Sequence, residues 1–300
     1  MTFVLTYITW DVSPFIYEGE HFAISWYGTL WTLGLIGMLI TLLVTFKHDG
    51  VPSQYALITF MVSLVCVIFF GHLFQGLFYE WDYLPDNPAH AFGTEWHYRN
   101  YYFEHPWKFF DFAHGGFASH GAIVGVYVSG VLLAKWMQVN AFQVIDRGIM
   151  GLDIVGITVR LGNFFNSEIY GIQTTLPWGV VFEGQTIPAH PTMFYEILIF
   201  AIALLIGWWL YLYKDGGKYT GVISGVMLLF IMILRLLVEF IKLPQMGIEQ
   251  GWILNMGQIL SIPFILLMPL QIKKAIQRGM INLNAFCDKK IITKSKHKRK

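Results

Sequence analysis

Long apolar stretches separated by short polar connections are the most regular feature of the chain. Seven such segments can be drawn, and each approaches or exceeds the roughly 20 apolar residues that cross a bilayer as a helix. Lipid offers no partner to free backbone groups, so only helices or closed barrels span it, and these run lengths favour helices. The approximate bounds of the segments are 22–46, 54–79, 117–137, 142–165, 191–213, 219–242 and 252–272.

The composition supports the same conclusion. Hydrophobic residues make up 55% of the chain and charged residues 13%, whereas a soluble globular domain carries about 25% charged residues. We therefore expect an all-α polytopic membrane protein with seven transmembrane helices. Residues 1–272 would form one integral-membrane domain, because no repeat and no second domain are visible.

The distribution of basic residues predicts the orientation. Lysines and arginines gather at the connections after segments 1, 3 and 5 and in the tail 273–300, while 1–21 and 166–190 contain none. Since cytoplasmic loops are enriched in Lys and Arg, the N-terminus should lie outside and the C-terminus in the cytoplasm. The basic residues in or near those connections are Lys47, Lys135, Arg147, Lys214 and Lys218.

Two regions lie outside the predicted helices. The connection 80–116 is rich in aromatic residues, which favour the headgroup region, so we expect a small extracytoplasmic cap with short helices lying on the membrane. The basic tail 273–300 should be solvated, largely disordered and close to anionic headgroups. Such tails are common on membrane proteins, so no nucleic-acid partner is expected.

Neither the cysteines nor the histidines suggest a metal or redox centre. Cys66 lies in an apolar segment and Cys287 in the basic tail, so no disulfide is expected. The histidines of the 80–116 connection lack compact ligand spacing, so we predict no metal and no cofactor. The N-terminus shows no basic region before an apolar stretch, so no cleaved signal peptide is predicted. Those histidines are His90, His97, His105 and His114.

Two arginines inside predicted helices are the strongest indication of function. An arginine at the centre of a bilayer costs about 2.5–3.5 kcal/mol, and Arg160 and Arg235 both lie within apolar segments. Two guanidinium groups can hold a phosphate bidentately, which suggests a phospholipid ligand. Two structural alternatives remain: Arg160 could extend to the interface and cap a helix end, and Arg235 could form an ion pair with Glu239 at i+4.

Two further residues could take part in chemistry. His120 stands where segment 3 enters the membrane, beside small residues, and a neutral histidine can act as a general base. It could equally be a satisfied core residue. Glu196 follows His190-Pro191 at the start of segment 5, where Pro191 suits a first helical turn. Glu196 could bind substrate or serve only as a packing or capping partner.

In type and order, these residues resemble the prolipoprotein diacylglyceryl transferase family over about residues 10–272. The run Arg160-Leu161-Gly162-Asn163-Phe164-Phe165-Asn166-Ser167-Glu168-Ile169-Tyr170-Gly171 is the most specific match. The other matches are individually weak but occur in series. They are Trp26-Tyr27-Gly28, His120-Gly121, His190 to Glu196, Arg235-x-x-x-Glu239 and Met256-Gly257-Gln258-Ile259-Leu260-Ser261.

The resemblance implies a seven-helix enzyme of the bacterial inner membrane. Such enzymes move the diacylglyceryl group of phosphatidylglycerol to the lipobox cysteine thiol of a prolipoprotein, forming a thioether and releasing glycerol-1-phosphate. We expect catalytic roles for His120, Arg160, Arg235 and Glu239. We expect substrate-binding roles for Tyr27, Asn163, Asn166, Glu168, Gly171, His190, Glu196 and Gln258.

Three positions depart from the family pattern. Ser25 replaces a basic residue before Trp-Tyr-Gly, Ala122 replaces the second glycine after the histidine, and Ile231 replaces a tyrosine found in some members. Two other classes of function compete with the enzyme: a transporter or flippase whose path the same arginines would line, and a purely structural seven-helix scaffold. The absence of repeat symmetry argues against many transporter folds, and a scaffold would leave the order of the polar motifs unexplained.

Overall fold

The computed structural model describes residues 7–85, 96–112, 116–213, 219–244, 249 and 252–297, and only the backbone of 82–85, 96–99 and 280–297. Within these residues, seven helices are long and apolar enough to cross a membrane. The helices are α1 Trp26–His48, α2 Ser53–Phe78, the short α3 Tyr101–Glu104, α4 Ser119–Met137, α5 Ala141–Phe165, α6 Thr192–Tyr213, α7 Val222–Val238 and α8 Met256–His297. The spanning part of α8 is Met256–Gly279.

Each predicted segment coincides with one of the seven long helices, which confirms the all-α membrane fold. The start of α1 differs by four residues because Ala23–Ser25 forms a strand. Ser25 then caps the helix, since its Oγ accepts a hydrogen bond from the Gly28 backbone N–H at 3.0 Å. The residue that departs from the family pattern is thus a favourable N-cap.

The prediction of a largely disordered tail was wrong for the described backbone. Helix α8 continues from the membrane span to His297. Residues 280–297 contain neither glycine nor proline, the two residues that most strongly oppose a helix. The tail therefore extends the last spanning helix.

Six short strands lie outside the spans and pair into three two-stranded sheets among the described residues. Strand β1 pairs in parallel with β6, while β2–β3 and β4–β5 are antiparallel. These sheets were not predicted, because strands of three to five residues carry too little periodicity to recognise. The strands are β1 Ile8–Trp10, β2 Phe15–Glu18, β3 Ala23–Ser25, β4 Trp81–Pro85, β5 Trp96–Asn100 and β6 Val180–Phe182.

The connection that was predicted to form a cap packs on the end of α2. Asn100 donates from Nδ2 to the Gly76 carbonyl at 2.8 Å, and the His72 ring lies 2.9 Å from the Lys108 carbonyl. Helix α3 and a 3₁₀ turn at Pro106–Phe110 supply the expected short helices. Aromatic side chains such as Trp107 remain exposed, as suits a surface at the headgroup level.

Polar and apolar residues are distributed as a membrane requires. Leu33, Ile36, Ile40 and Val44 form an exposed stripe along α1, which would be unusual in water but matches a lipid-facing surface. Helix α5 lies at the centre of the bundle and packs against α1, α4, α6 and α7. Polar groups carried by α5 are therefore shielded from lipid by the surrounding helices.

One basic residue used for the orientation belongs to the interior. Arg147 was assigned to the neighbourhood of a connection, but it lies inside α5 and is fully buried. Its Nη2 contacts the Asp49 carboxylate at 2.6 Å, and Tyr211 donates to the same carboxylate at 2.8 Å. Arg147 is thus neutralised within the fold and does not count as a loop charge. Lys214 and Lys218 lie outside the described residues.

Candidate active site

The predicted site residues converge because consecutive spans cross the bundle in opposite directions. The starts of α1, α4, α6 and α8 and the ends of α2, α5 and α7 therefore lie at the same end. Tyr27, Arg160, Glu196 and Arg235 occupy these positions on four different helices. Residues far apart in sequence are brought together by this alternation.

Glu196 is the centre of the charged cluster. Its fully buried carboxylate lies 2.8 Å from Arg160 Nε, 3.1 Å from Arg235 Nε and 3.0 Å from Lys242 Nζ. Three cations thus share one carboxylate, which fixes the Nε edges of both guanidinium groups. A buried carboxylate that loses a cationic partner costs free energy. Each of these ion pairs therefore stabilises the positions of the others.

Glu239 forms the second anionic position. It accepts a hydrogen bond from Lys242 Nζ at 2.9 Å and one from Asn255 Nδ2 at 3.1 Å. The i,i+4 contact with Arg235, which the sequence suggested, measures 3.9 Å. The helix ends in a 3₁₀ turn at Glu239–Ile241. Side chains three residues apart eclipse each other in such a turn, so Glu239 pairs more closely with Lys242.

A chain of hydrogen bonds continues from Arg160 along the chain. Arg160 Nη1 donates to Asn163 Oδ1 at 3.0 Å, and Asn163 Nδ2 donates to Glu168 Oε1 at 2.8 Å. Asn166 donates to the same Glu168 oxygen at 3.2 Å. The two asparagines therefore hold the carboxylate, and Asn163 also orients the arginine.

The backbone around Glu168 is strained. Ser167 and Ile169 have φ angles of 51° and 60°, a left-handed conformation that is rare for residues other than glycine and unfavourable for β-branched ones. Thr192 Oγ1 donates to the Ile169 carbonyl at 2.8 Å and helps to hold this turn. Such strain is concentrated at sites where a side chain must be placed in one position.

Gly171 lies where three backbone segments meet. Its N–H donates to the His190 carbonyl at 2.8 Å, and a Cβ at this position would collide with the Ile241 carbonyl oxygen. The neighbouring Ile172 N–H donates to that same Ile241 carbonyl at 2.8 Å. Only glycine permits this approach, which places Lys242 beside Glu196.

The charged cluster forms one end of a cavity of about 720 Å³. Arg160, Arg235, Glu168 and Glu239 line its polar end. The cavity then follows α5 toward the other side of the bundle, between walls that are mainly apolar. Residues that line this apolar arm include Leu35, Met38, Ile149, Leu152, Phe200 and Leu228. A polar end joined to a long apolar arm suits an amphiphilic ligand.

The structure divides the predicted site residues into two groups. Seven line the cavity: Tyr27, Arg160, Asn163, Asn166, Glu168, Arg235 and Glu239. Five lie behind its wall: His120, Gly171, His190, Glu196 and Gln258. His190 faces Tyr195, with 3.0 Å between Nδ1 and the hydroxyl oxygen. Gln258 donates to the Leu236 carbonyl at 3.2 Å and braces the end of α7.

His120 is almost completely buried and connects α4 to α8. Its Nε2 lies 3.1 Å from Ser261 Oγ, and that hydroxyl donates to the Gly257 carbonyl at 2.7 Å. Because the Ser261 hydroxyl hydrogen is already donated to Gly257, Nε2 carries the ring hydrogen and Nδ1 is left as an acceptor. Within the described part of the chain, Nδ1 has no hydrogen-bond partner. The adjacent Ser119 and Ala122 line the cavity.

Several functional-site residues were missed by sequence reasoning. Lys242 stands at the end of predicted segment 6, and its i+3 spacing from Glu239 could have identified it. Ser119 accepts a hydrogen bond from Arg235 Nη1 at 2.8 Å. Tyr79 lines the cavity near both arginines. A phenol is protonated near neutral pH, so the Tyr79 hydroxyl can donate to an anion.

Within the described residues, no cluster of His, Cys, Asp and Glu could hold a metal ion. His90 and His114 lie outside those residues. The positive charges that line the polar end belong to Arg160 and Arg235, and guanidinium groups bind phosphate directly.

Comparisons with known proteins agree with this geometry. Residues 14–272 match the family model described as prolipoprotein diacylglyceryl transferase. A phosphatidylglycerol–prolipoprotein diacylglyceryl transferase of Porphyromonas gingivalis is 34% identical, covering 87% of this chain and 92% of that protein. Proteins of the same name from Chloroherpeton thalassium and Tolumonas auensis are 28% and 32% identical, covering 92% and 86% of this chain and 97% and 93% of their own lengths.

Proposed function

Because this chain belongs to the prolipoprotein diacylglyceryl transferase family, we infer that it transfers the diacylglyceryl group of phosphatidylglycerol to prolipoproteins. The observation that carries this proposal is the cavity, where two arginines at the polar end meet a long apolar arm. A phospholipid has the same division, with an anionic phosphate joined to acyl chains. The substrate that the names of the relatives specify therefore suits the shape and charge of the site.

The phosphate of phosphatidylglycerol binds between Arg160 and Arg235 in our proposal. In the reaction, the sulfur of the prolipoprotein cysteine forms a bond to a glyceryl carbon, and the bond from that carbon to the phosphate oxygen breaks. Glycerol-1-phosphate leaves with the electron pair, so negative charge develops on its oxygen. Fixed cations in a site with little water stabilise such charge strongly. Tyr79 can donate a further hydrogen bond to the phosphate.

The thiol must lose its proton before it attacks, since the thiolate is the nucleophile. We assign His120 as the proton acceptor, through its Nδ1, which has no hydrogen-bond partner among the described residues. Because His120 lies behind the cavity wall, the thiol proton would reach it past Ser119 and Ala122, which line the cavity. Cys66, the one cysteine whose side chain the structure describes, lies on α2 outside the cavity lining. Direct transfer between two bound substrates therefore suits the site better than a covalent enzyme intermediate.

The remaining predicted residues act mainly by positioning. Glu196 orients both arginines, Asn163 and Asn166 hold Glu168, and Gly171 permits the backbone crossing. Tyr27 lines the cavity beside this group. His190 and Gln258 brace the ends of α6 and α7 rather than touching the ligand.

We further propose that the protein lies in the bacterial inner membrane as one domain, residues 1–272. The N-terminus and the 80–116 cap would be extracytoplasmic and the tail 273–300 cytoplasmic. The site would then face the extracytoplasmic side and take the lipobox segment of a translocated prolipoprotein. A transporter would need a polar path through both halves of the membrane, whereas the charged cavity residues lie mainly at one end.

Purified protein incubated with phosphatidylglycerol vesicles and a lipobox peptide tests the proposal. We expect release of glycerol phosphate together with a peptide whose mass increases by one diacylglyceryl group. A peptide with serine in place of the lipobox cysteine should remain unmodified. If neither product forms while a proven enzyme of the family is active in the same vesicles, the proposed activity is wrong.

A further inference from the structure

One acidic residue in the apolar arm of the cavity has no role in the chemistry described above. Asp153 lies on α5, is 5% exposed and lines the cavity. Neither carboxyl oxygen has a hydrogen-bond partner among the residues that the structure describes. Buried polar groups nearly always have partners, so an unpartnered carboxyl in a binding cavity indicates a ligand that completes it.

The position of Asp153 relative to the arginines is set by the helix. It precedes Arg160 by seven residues, or two helical turns, so both residues lie on the same face of α5 about 10 Å apart along the axis. The cavity-lining residues nearest to Asp153 in the chain, Leu152, Val155 and Gly156, are apolar. A lipid with its phosphate at Arg160 would therefore pass Asp153 with the part of an acyl chain that lies nearest its ester group.

A saturated chain would leave the carboxyl without a partner and would displace any water that could serve as one. An acyl chain with a hydroxyl at this depth would both donate to and accept from the carboxyl. The same hydroxyl has no good partner in the hydrocarbon region of a bilayer. Binding would then satisfy two polar groups at once, and a buried polar group left unpaired changes an equilibrium about tenfold.

We propose that Asp153 determines the acyl-chain specificity of the donor lipid by selecting chains that carry a hydroxyl at its depth in the cavity. The proposal rests on the proposed transferase function, because it assigns the apolar arm to the acyl chains of the donor. It requires no contact between Asp153 and the reacting atoms, so Asp153 is a specificity residue for a remote part of the substrate.

A competition experiment tests this directly. Vesicles would contain equal amounts of dipalmitoyl phosphatidylglycerol and an analogue with one hydroxyl on a palmitoyl chain, in a series that moves the hydroxyl along the chain. Mass spectrometry of the lipidated peptide separates the two products by one oxygen atom. Their ratio depends on relative kcat/KM and not on how much enzyme is folded, so a partly unstable variant remains informative.

The natural protein should favour one hydroxyl position, in the part of the acyl chain near the ester group, about tenfold. Asp153→Leu should abolish that preference, while Asp153→Asn, which keeps a polar group of similar shape, should retain most of it. If no hydroxyl position is preferred, or if Asp153→Leu leaves the product ratio unchanged, the inference is wrong although the transferase function stands. If no lipid yields modified peptide, the transferase function itself fails.

Discussion

Arg160 and Arg235 lie on different helices, and both pair with the carboxylate of Glu196. This shared carboxylate holds the two side chains in one site. Removing one member of a buried charged group leaves the others unpaired and commonly costs about 3–5 kcal/mol. The arginines can therefore keep their positions only while the whole group, including Lys242, is intact. Specific predictions follow for Arg235 and Lys242 in this group and for His120 nearby.

The first concerns the geometry of a cation. We expect Arg235→Lys to lower kcat/KM about a hundredfold, although the charge is retained. An ammonium cannot replace the planar fork that contacts Glu196 and Ser119 and, in our proposal, binds the phosphate. Steady-state kinetics with varied phosphatidylglycerol would measure this. Lys135→Arg, an exposed change near the opposite end of α4, is the matched control. Near-normal turnover by folded Arg235→Lys would reduce Arg235 to a structural ion-pair partner.

The second concerns proton transfer. His120→Gln should fold and retain a contact with Ser261, but it should slow thiol attack near neutral pH. A free cysteine has a pKa of about 8.5, so more of the peptide thiol ionises unaided as pH rises and the deficit should shrink. Rate profiles of variant and natural protein from neutral to alkaline pH would show this. A constant deficit would instead assign His120 to positioning.

The third concerns the buried lysine. Lys242 donates to both Glu196 and Glu239 at 3.0 and 2.9 Å. Lys242→Met should destabilise the protein by about 3–5 kcal/mol, because two buried carboxylates would each lose a cation. A thermal-unfolding series in detergent would compare it with Lys135→Met. Equal melting temperatures for the two variants would contradict the structural role of Lys242.

At the scale of elements, the contact between α2 and α4 controls the wall of the site. Helix α4 carries Ser119 and His120, and it approaches α2 through glycines. A Cβ on Gly125 would lie 2.6 Å from the Cys66 carbonyl oxygen and 2.8 Å from Val67 Cα. Both are backbone atoms, so a side chain at position 125 could be accommodated only if helix α2 or α4 shifted. Small residues at such crossings let membrane helices pack closely.

Gly125→Ala should therefore destabilise the protein by about 1–3 kcal/mol and also lower activity, since separating α4 from α2 shifts Ser119 away from Arg235. Thermal melting and transferase kinetics on the same samples would measure both effects. Leu132→Ala on the exposed face of the same helix should change neither by much. A Gly125→Ala protein as stable as that control would show that the two helices are less tightly packed.

At the scale of the whole molecule, the alternation of seven spans places the charged cluster and the basic tail at opposite ends of the bundle. The cluster around Glu196 lies at the end of the bundle that also carries β1 and β6, while α8 leads the basic tail away from the other end. With basic residues retained in the cytoplasm, the site should open on the extracytoplasmic side.

Cysteine labelling in spheroplasts would test that orientation. In a background in which Cys66 and Cys287 are replaced, Ser13→Cys and Gln185→Cys, both exposed at the site end, should react with a membrane-impermeant thiol reagent. Lys294→Cys should react only after the membrane is opened. The opposite pattern would reverse the topology and the location of the active site. Transferase activity in each variant is the control for correct folding.

The sequence alone determined the number of spans, their approximate ends and most of the charged residues of the site. It could do so because a bilayer imposes one length and one polarity on every crossing helix, and because a buried arginine is costly enough to be noticed. The run from Arg160 to Gly171 was recognisable for a related reason, since its polar residues follow one another within a few positions.

Only the tertiary structure decided which charged residues are partners. Glu196, on the start of α6, lies far along the chain from Arg160 and Arg235, and no helical spacing links it to them. The close partner of Glu239 proved to be Lys242 rather than Arg235, because the helix tightens at that point. No sequence feature indicated a role for Asp153 within its apolar segment. Its lack of hydrogen-bond partners among the described residues is a property of the packed bundle, in which α5 contacts four other helices. Such pairings depend on packing between helices, which the local pattern of a sequence does not encode.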